Sequence, residues 1–309
     1  MRCRHALFAA AALAAILSSP ASAHRQWLLP STTSLSGTSE WVTVDAAVSN
    51  DLFYADHVPM SPEQVKVWAP DGIESKIENA ATGRYRSTFD VKIDKPGTWA
   101  IGTERNGVMG TFKLNGETWR VGGRGRPATA PGAGAPGGAN MQRPQGAAPT
   151  AAPARPQGSG PIRMVANVED IPAGATDINL TEVLAKNMVF VTADAPTMTV
   201  LEPTGKGLEF QPLTHPASLV SDEPARFRFL VDGKPAAGVN VTVVPGGKKF
   251  REAEEAQELK TDADGVVTVQ WPVPGVYWLN ASAEDAKAST PRADKRRMGF
   301  TTTLEVVAP

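Results

Sequence analysis

Apolar and polar residues alternate with a period of two through most of this chain, and no stretch of length carries the 3.6-residue period of a helix. The clearest case is Arg84–Ile93 (RYRSTFDVKI), which puts Tyr85, Ser87, Phe89, Val91 and Ile93 on one face. Lys95-Pro96-Gly97 then turns the chain into TWAIGTE, as in a meander. Glu40–Val48 and Val65–Ala69 are short β-branched and aromatic runs bounded by turn residues such as Asp71-Gly72, and both predict strands. In TFKLNGETWR, Asn115-Gly116 sits between two alternating pieces. Both residues tolerate the positive φ that a two-residue hairpin turn demands.

Val121–Pro161 breaks this pattern. Gly, Ala and Pro make up 28 of its 41 residues, and its only charges are Arg124, Arg126, Arg143 and Arg155. Such a composition buries no core and reads as a flexible, partly polyproline-like insertion. Its arginines serve solubility or touch anionic lipid. Beyond it, Asp177–Ala193 allows a helical turn at LTEVLAK, but Asn187 and the run Val189–Thr192 favour strands that pair back with the first segment. "TWRV" and "IRMV" on either side of the insertion are expected neighbours. From Gly207 on, RFRFLV, VNVTVV, Val266–Trp271, GVYWLNA and GFTTTLEVV recur at the 8–12-residue spacing of a sandwich. The expected fold is all-β with two β-sandwich domains of immunoglobulin or prealbumin-like type. Residues 24–120 with 162–205 form the first, 121–161 the insertion, and 206–309 the second.

Residues 1–23 change where this fold works. Arg2 and Arg4 precede an apolar run, Ala6–Leu17, too short to span a bilayer, and Ala21-Ser22-Ala23 is a small-residue cleavage site. Export to the periplasm follows, with no transmembrane span expected in the mature chain. The single cysteine, Cys3, lies in that segment, so the mature chain forms no disulfide and relies on packing. Its 286 residues suffice for about two domains. Its net charge is 29 basic minus 32 acidic residues, or −3, with no basic stripe, which sets nucleic acid aside.

Cleavage after Ala23 would make His24 the first residue. Its α-amine and ring nitrogen would then be two tethered donors for one ion, and one further imidazole would complete a nitrogen plane suited to copper(II) or nickel(II). Outside the signal only His24, His57 and His215 are histidines. His57 lies in SNDLFYADHVPMSP, where Asp56 and Met60 offer an oxygen and a soft sulfur. Against this, an exposed loop histidine can simply orient a turn, and Met60 can simply pack. His215, between prolines in FQPLTHPASL, reads more simply as a junction histidine bonded to backbone, although it remains a candidate ligand. TDADG begins like a calcium loop, but position 12 counted from Asp262 is Val273, so a hairpin turn is the better reading. FREAEEAQELK reads as a charged edge hairpin that blocks strand addition. No nucleophile elbow, phosphate loop or catalytic cysteine is present, so no enzyme is expected.

AHRQWLLP, FYADHVPM, GLEFQPLTHP and TDADGVVTVQWPVPGVYWLNA together resemble a family of exported bacterial proteins classed as a domain of unknown function. That family is similar in turn to the periplasm-facing NikM-type component of nickel and cobalt uptake transporters. The resemblance covers nearly all of the mature chain outside the insertion. It implies a β-sandwich protein tied to transition-metal handling, with His24 and His57 in the metal-associated segments. In NikM-type proteins the histidine follows an N-terminal methionine on a membrane-embedded subunit, whereas here the mature chain would begin with histidine itself.

The function expected is a periplasmic accessory protein. It would bind a divalent ion (nickel, cobalt or copper) through His24 and His57, with Asp56, Met60 and His215 as further candidates, for delivery to an uptake transporter or outer-membrane receptor. One alternative is an adhesion or carbohydrate-contacting module with Trp27, Trp41 and Trp68 as an aromatic platform. Another is a copper-dependent oxidase that uses the same terminal histidine.

Overall fold

The computed structural model describes residues 24–122 and 163–309. The signal segment and most of the Gly/Ala/Pro-rich insertion lie outside the described residues.

The first part of the chain forms β1 (Arg25–Pro30), β2 (Ser34–Leu35), β3 (Glu40–Ser49), β4 (Val58–Pro59), β5 (Val65–Trp68) and β6 (Glu74–Ser75). It continues with β7 (Glu78–Thr82), β8 (Ser87–Ile93), β9 (Gly97–Leu114), β10 (Glu117–Val121), β11 (Met164–Val165) and β12 (Thr176–Ala193). The second part forms β13 (Leu208–Pro212), β14 (Ala225–Val231), β15 (Lys234–Pro235), β16 (Asn240–Pro245), β17 (Gln257–Lys260), β18 (Val266–Val269), β19 (Gly275–Asp285) and β20 (Lys295–Val306). Apart from short 3₁₀ turns, the described residues contain no helix. The fold is all-β, as the alternation predicts. LTEVLAK is strand, because hydrogen bonding along both edges of β12 outweighs its local helical preference.

Three sheets are formed by the described residues. The first runs β1-β3-β8-β7, with β4 extending the β8 side of β3. The second, large sheet runs β11-β10-β9-β12-β20-β19-β16-β17, and the third is built on β13, β14, β15 and β18. The large sheet is common to both sandwiches. β12 pairs antiparallel with β9 from Thr176 to Ala193, and its other edge pairs in parallel with β20, Thr181–Val189 against Lys295–Thr303.

Strand alternation explains how one sheet serves two cores. Val189, Val191 and Ala193 of β12 join Trp99 and Ile101 of β9 in the first core, with Leu28, Val42, Val44, Phe89 and Val91 opposite. The intervening Met188 and Phe190 project to the other face, with Ala100, into the second core among Phe210, Phe227, Phe229, Leu279 and Phe300. A strand buried on both faces reads as a continuous apolar run, and NMVFVTA is that run.

The local turn chemistry matches the backbone. Asn115 (φ 53°) and Gly116 (φ 81°) are both left-handed between β9 and β10. Asp262 accepts from the amides of Asp264 and Val266 in a closed turn, the hairpin reading of TDADG. β17, the end of the acidic run, pairs among the described residues only with β16, at the edge of the large sheet.

Candidate metal site

His24 immediately precedes β1, and His57 immediately precedes β4. Both strands pair with the end of β3: Gln26 lies opposite Val48, and so does Val58. The two histidines therefore arrive from opposite sides of one strand. Their rings stack, with centroids 3.9 Å apart and planes inclined by 24°. Both residues are exposed.

The support beneath them is packed and hydrogen-bonded. Trp27 is fully buried with Leu52, Val244 and Trp278, and its indole N–H donates to Ser49 Oγ at 2.7 Å. The indole of Trp278 donates to the Gln26 carbonyl at 3.0 Å, which ties β1 to β19. The His57 loop is held from within and from the second sandwich. Asp56 accepts from the Asn50 amide at 2.9 Å and from Asn50 Nδ2 at 3.3 Å, and Lys248 pairs with Asp51 at 3.2 Å.

One contact escapes sequence reading. The Arg25 guanidinium donates to both carboxylate oxygens of Glu254 and lies 5.2 Å over the Trp278 ring. This holds the Glu254 carboxyl below its ordinary range, the hydrogen bond from Arg25 being the largest cause. Glu254 belongs to the acidic run read as a solvated edge. The pair spans 229 positions, so no local signal marks it.

The remaining candidates do not converge on the histidine pair. Asp56 spends its oxygens on Asn50 and shapes the loop. Met60 is buried in the first core, where its sulfur accepts from Asn187 Nδ2 at 3.9 Å. His215 packs at the other end of the large sheet: its Nε2 lies 3.1 Å from Thr98 Oγ1, and its Nδ1 accepts from the Ala217 amide at 3.0 Å. His24 shares a cleft of about 580 Å3 with Arg105, Thr242, Asn280 and Thr301. Arg105 is seven residues along β9 from Thr98, about 23 Å at ~3.3 Å per residue. Among the described residues no group of three or more His, Cys, Asp or Glu side chains forms a metal cluster.

The pair therefore supplies two imidazole donors at most. Ring-nitrogen lone pairs lie in the ring plane, so in nearly parallel rings they run side by side. Joint ligation needs one exposed ring to turn, and further donors to complete the shell. The three tryptophans of the alternative platform are split: Trp41 is 45% exposed, Trp27 is fully buried, and Trp68 packs partly against the second core.

The geometry thus defines an all-β protein in which two sandwiches share one sheet, with a histidine pair at the rim where β1, β3 and β4 meet. The chain belongs to the DUF4198 family, described as a domain of unknown function, whose model matches residues 21–285. Among solved structures it is similar to the D0-D1 domain of intimin, at 12% identity, covering 90% of this chain and 97% of that one, with a TM-score of 0.19. It is also similar to Escherichia coli alpha-2-macroglobulin activated by porcine elastase, at 12% identity, covering 90% and 30%, with a TM-score of 0.20. At these TM-scores neither likeness carries an argument, and the fold rests on the sheets themselves. No curated protein matches the chain. No helix among the described residues is long and apolar enough to cross a membrane.

Proposed function

We propose that this protein is an exported, periplasmic metal carrier that takes one divalent transition ion (nickel, cobalt or copper) as cargo at His24 and His57. It hands the ion to an uptake transporter or outer-membrane receptor without transforming it. The observation that supports this reading is the contact between the two histidine rings, 3.9 Å apart, brought together by strand pairing from separate segments. After cleavage at Ala23 the His24 amine adds a third nitrogen to the two imidazoles, a donor set that suits tetragonal ions. The link to NikM-type uptake rests on sequence motifs alone.

Isothermal titration of the mature chain beginning at His24 tests the reading with nickel(II), cobalt(II) and copper(II) in turn. One ion is expected to bind at one-to-one stoichiometry. His57→Ala, and a chain with one extra residue before His24, should each lose at least about tenfold in affinity, or 1.4 kcal/mol. Equal affinities in all three proteins would remove both the amine and His57 from the site.

A further inference from the structure

Two adjoining clefts open where β5 and β9 of the first sandwich meet β13 and β20 of the second. The first, about 400 Å3, reaches the edge of the second core, where Phe210 stacks with Phe190 at 6.1 Å between centroids and with Phe300 at 5.2 Å, each ring only about a twentieth exposed. Met188 and Trp68 complete its apolar wall. The second, about 770 Å3, shares Lys66, Glu104, Lys186 and Thr204 with it and adds Arg105 and Lys206. These volumes fall within the roughly 300–1,000 Å3 of small-molecule sites, which favour such junctions.

Five cations and four carboxylates line the two clefts, a surplus of one positive charge. Lys186 is paired with Glu104 at 3.6 Å, and Asp232 with Arg296 at 2.7 Å. Glu209 lines the first cleft but is buried, accepting from the amides of Thr204 and Gly205 and from Thr204 Oγ1. Exposed Glu202 is the one lining carboxylate left over. Among the described residues, Lys66, Arg105 and Lys206 each line the clefts with no carboxylate within 4.0 Å, and all three are exposed. Three cations without a carboxylate partner within 4.0 Å therefore stand at the mouth of an aromatic cleft whose lining carries two further carboxylates, Glu202 and buried Glu209, that no cation pairs. A cation at the edge of an apolar site adds electrostatic attraction for an anionic head while the floor takes the apolar body.

We propose that this junction cleft binds a small amphipathic anion, its alkyl or aromatic body over Phe190, Phe210 and Phe300 and its carboxylate or sulfonate head at Lys66, Arg105 and Lys206. The site adjoins the histidine cleft, with which it shares Arg105, but its aromatic floor and the two lysines lie outside that cleft.

Titration of the intact mature chain with 8-anilinonaphthalene-1-sulfonate, an aromatic sulfonate whose fluorescence rises in apolar surroundings, tests the proposal. Saturable one-to-one binding is expected, displaced by decanoate and not by decylammonium, which has the same tail and the opposite charge. Lys66→Glu and Lys206→Glu change exposed side chains and should leave thermal unfolding in place. Combined, they should weaken the dye at least about tenfold. Absence of saturable binding, equal displacement by decylammonium, or unchanged affinity in the double variant would each overturn the proposal.

Discussion

Single residues here divide by what their polar atoms already touch. His215 caps the 3₁₀ turn Pro216–Ser218: its Nδ1 accepts from Ala217, so Nε2 carries the proton and lies 3.3 Å from the Thr197 carbonyl. Burial is the largest cause holding its pKa below the ordinary value, opposed by the bond to Thr197. The folded state thus binds fewer protons than the unfolded one near the ordinary value of about 6.5. The stability this histidine contributes is present above that pH and is lost below it, as pH falls through the lowered folded-state value. Urea unfolding at pH 8 and pH 5 should show a larger loss in the wild type than in His215→Asn, which keeps a capping oxygen; equal losses would exclude the role. Met60 makes the complementary case. Its truncation to Ala should cost about 2–5 kcal/mol by denaturant titration and leave metal affinity unchanged, whereas a ligand would show the reverse. FYADHVPM made His57 legible as a candidate, but nothing local distinguished its exposed ring from the buried sulfur three residues on.

At the level of elements, β9 and β12 do most to organise the fold. Their pairing breaks register between Thr176 and Asn179, and just beyond this irregularity Gly110, opposite Leu180, lets the backbones approach closely. A Cβ on Gly110 would lie 2.0 Å from the Asn179 carbonyl oxygen, so rigid strand backbone would have to move. Gly110→Val is expected to destabilise by about 1–3 kcal/mol, with a lowered urea midpoint as the readout. An unchanged midpoint would mean that the irregularity relaxes freely. The existence of most strands was visible from alternation: Phe89, Val91 and Ile93 are buried on the face the pattern assigns them. The joining of TWAIGTE to TFKL in one strand of 18 residues was not, because ERNGVMG carries polar residues and glycine that locally signal a loop. Cross-strand bonds to β12 override that signal.

The longest tie between the two parts of the chain is one parallel pairing, β12 with β20, reinforced by the contacts of β1 with Trp278 and Glu254. Met188 and Phe190 from the first part of the chain help to build the second core, so separating the sandwiches would expose both the edge of β20 and a hole in that core. Buried Arg296 reinforces the same region by bridging Asp232 at 2.7 Å and Asp285 at 2.6 Å. Calorimetry of the intact chain should therefore show one cooperative transition. Two transitions separated by more than about 10 °C would show that the shared sheet couples the halves weakly.

Residue order by itself determined the all-β class, the turns at Asn115-Gly116 and Asp262–Gly265, and the small set of histidines from which a metal site could be drawn. These are local properties, set by side-chain alternation, backbone preference and composition. Tertiary structure alone decided that His24 and His57 touch while Met60 and His215 lie elsewhere, that Glu254 neutralises Arg25, and that one sheet serves two cores. Each of these depends on which strands become neighbours, and a contact across 229 positions leaves no periodic mark along the chain.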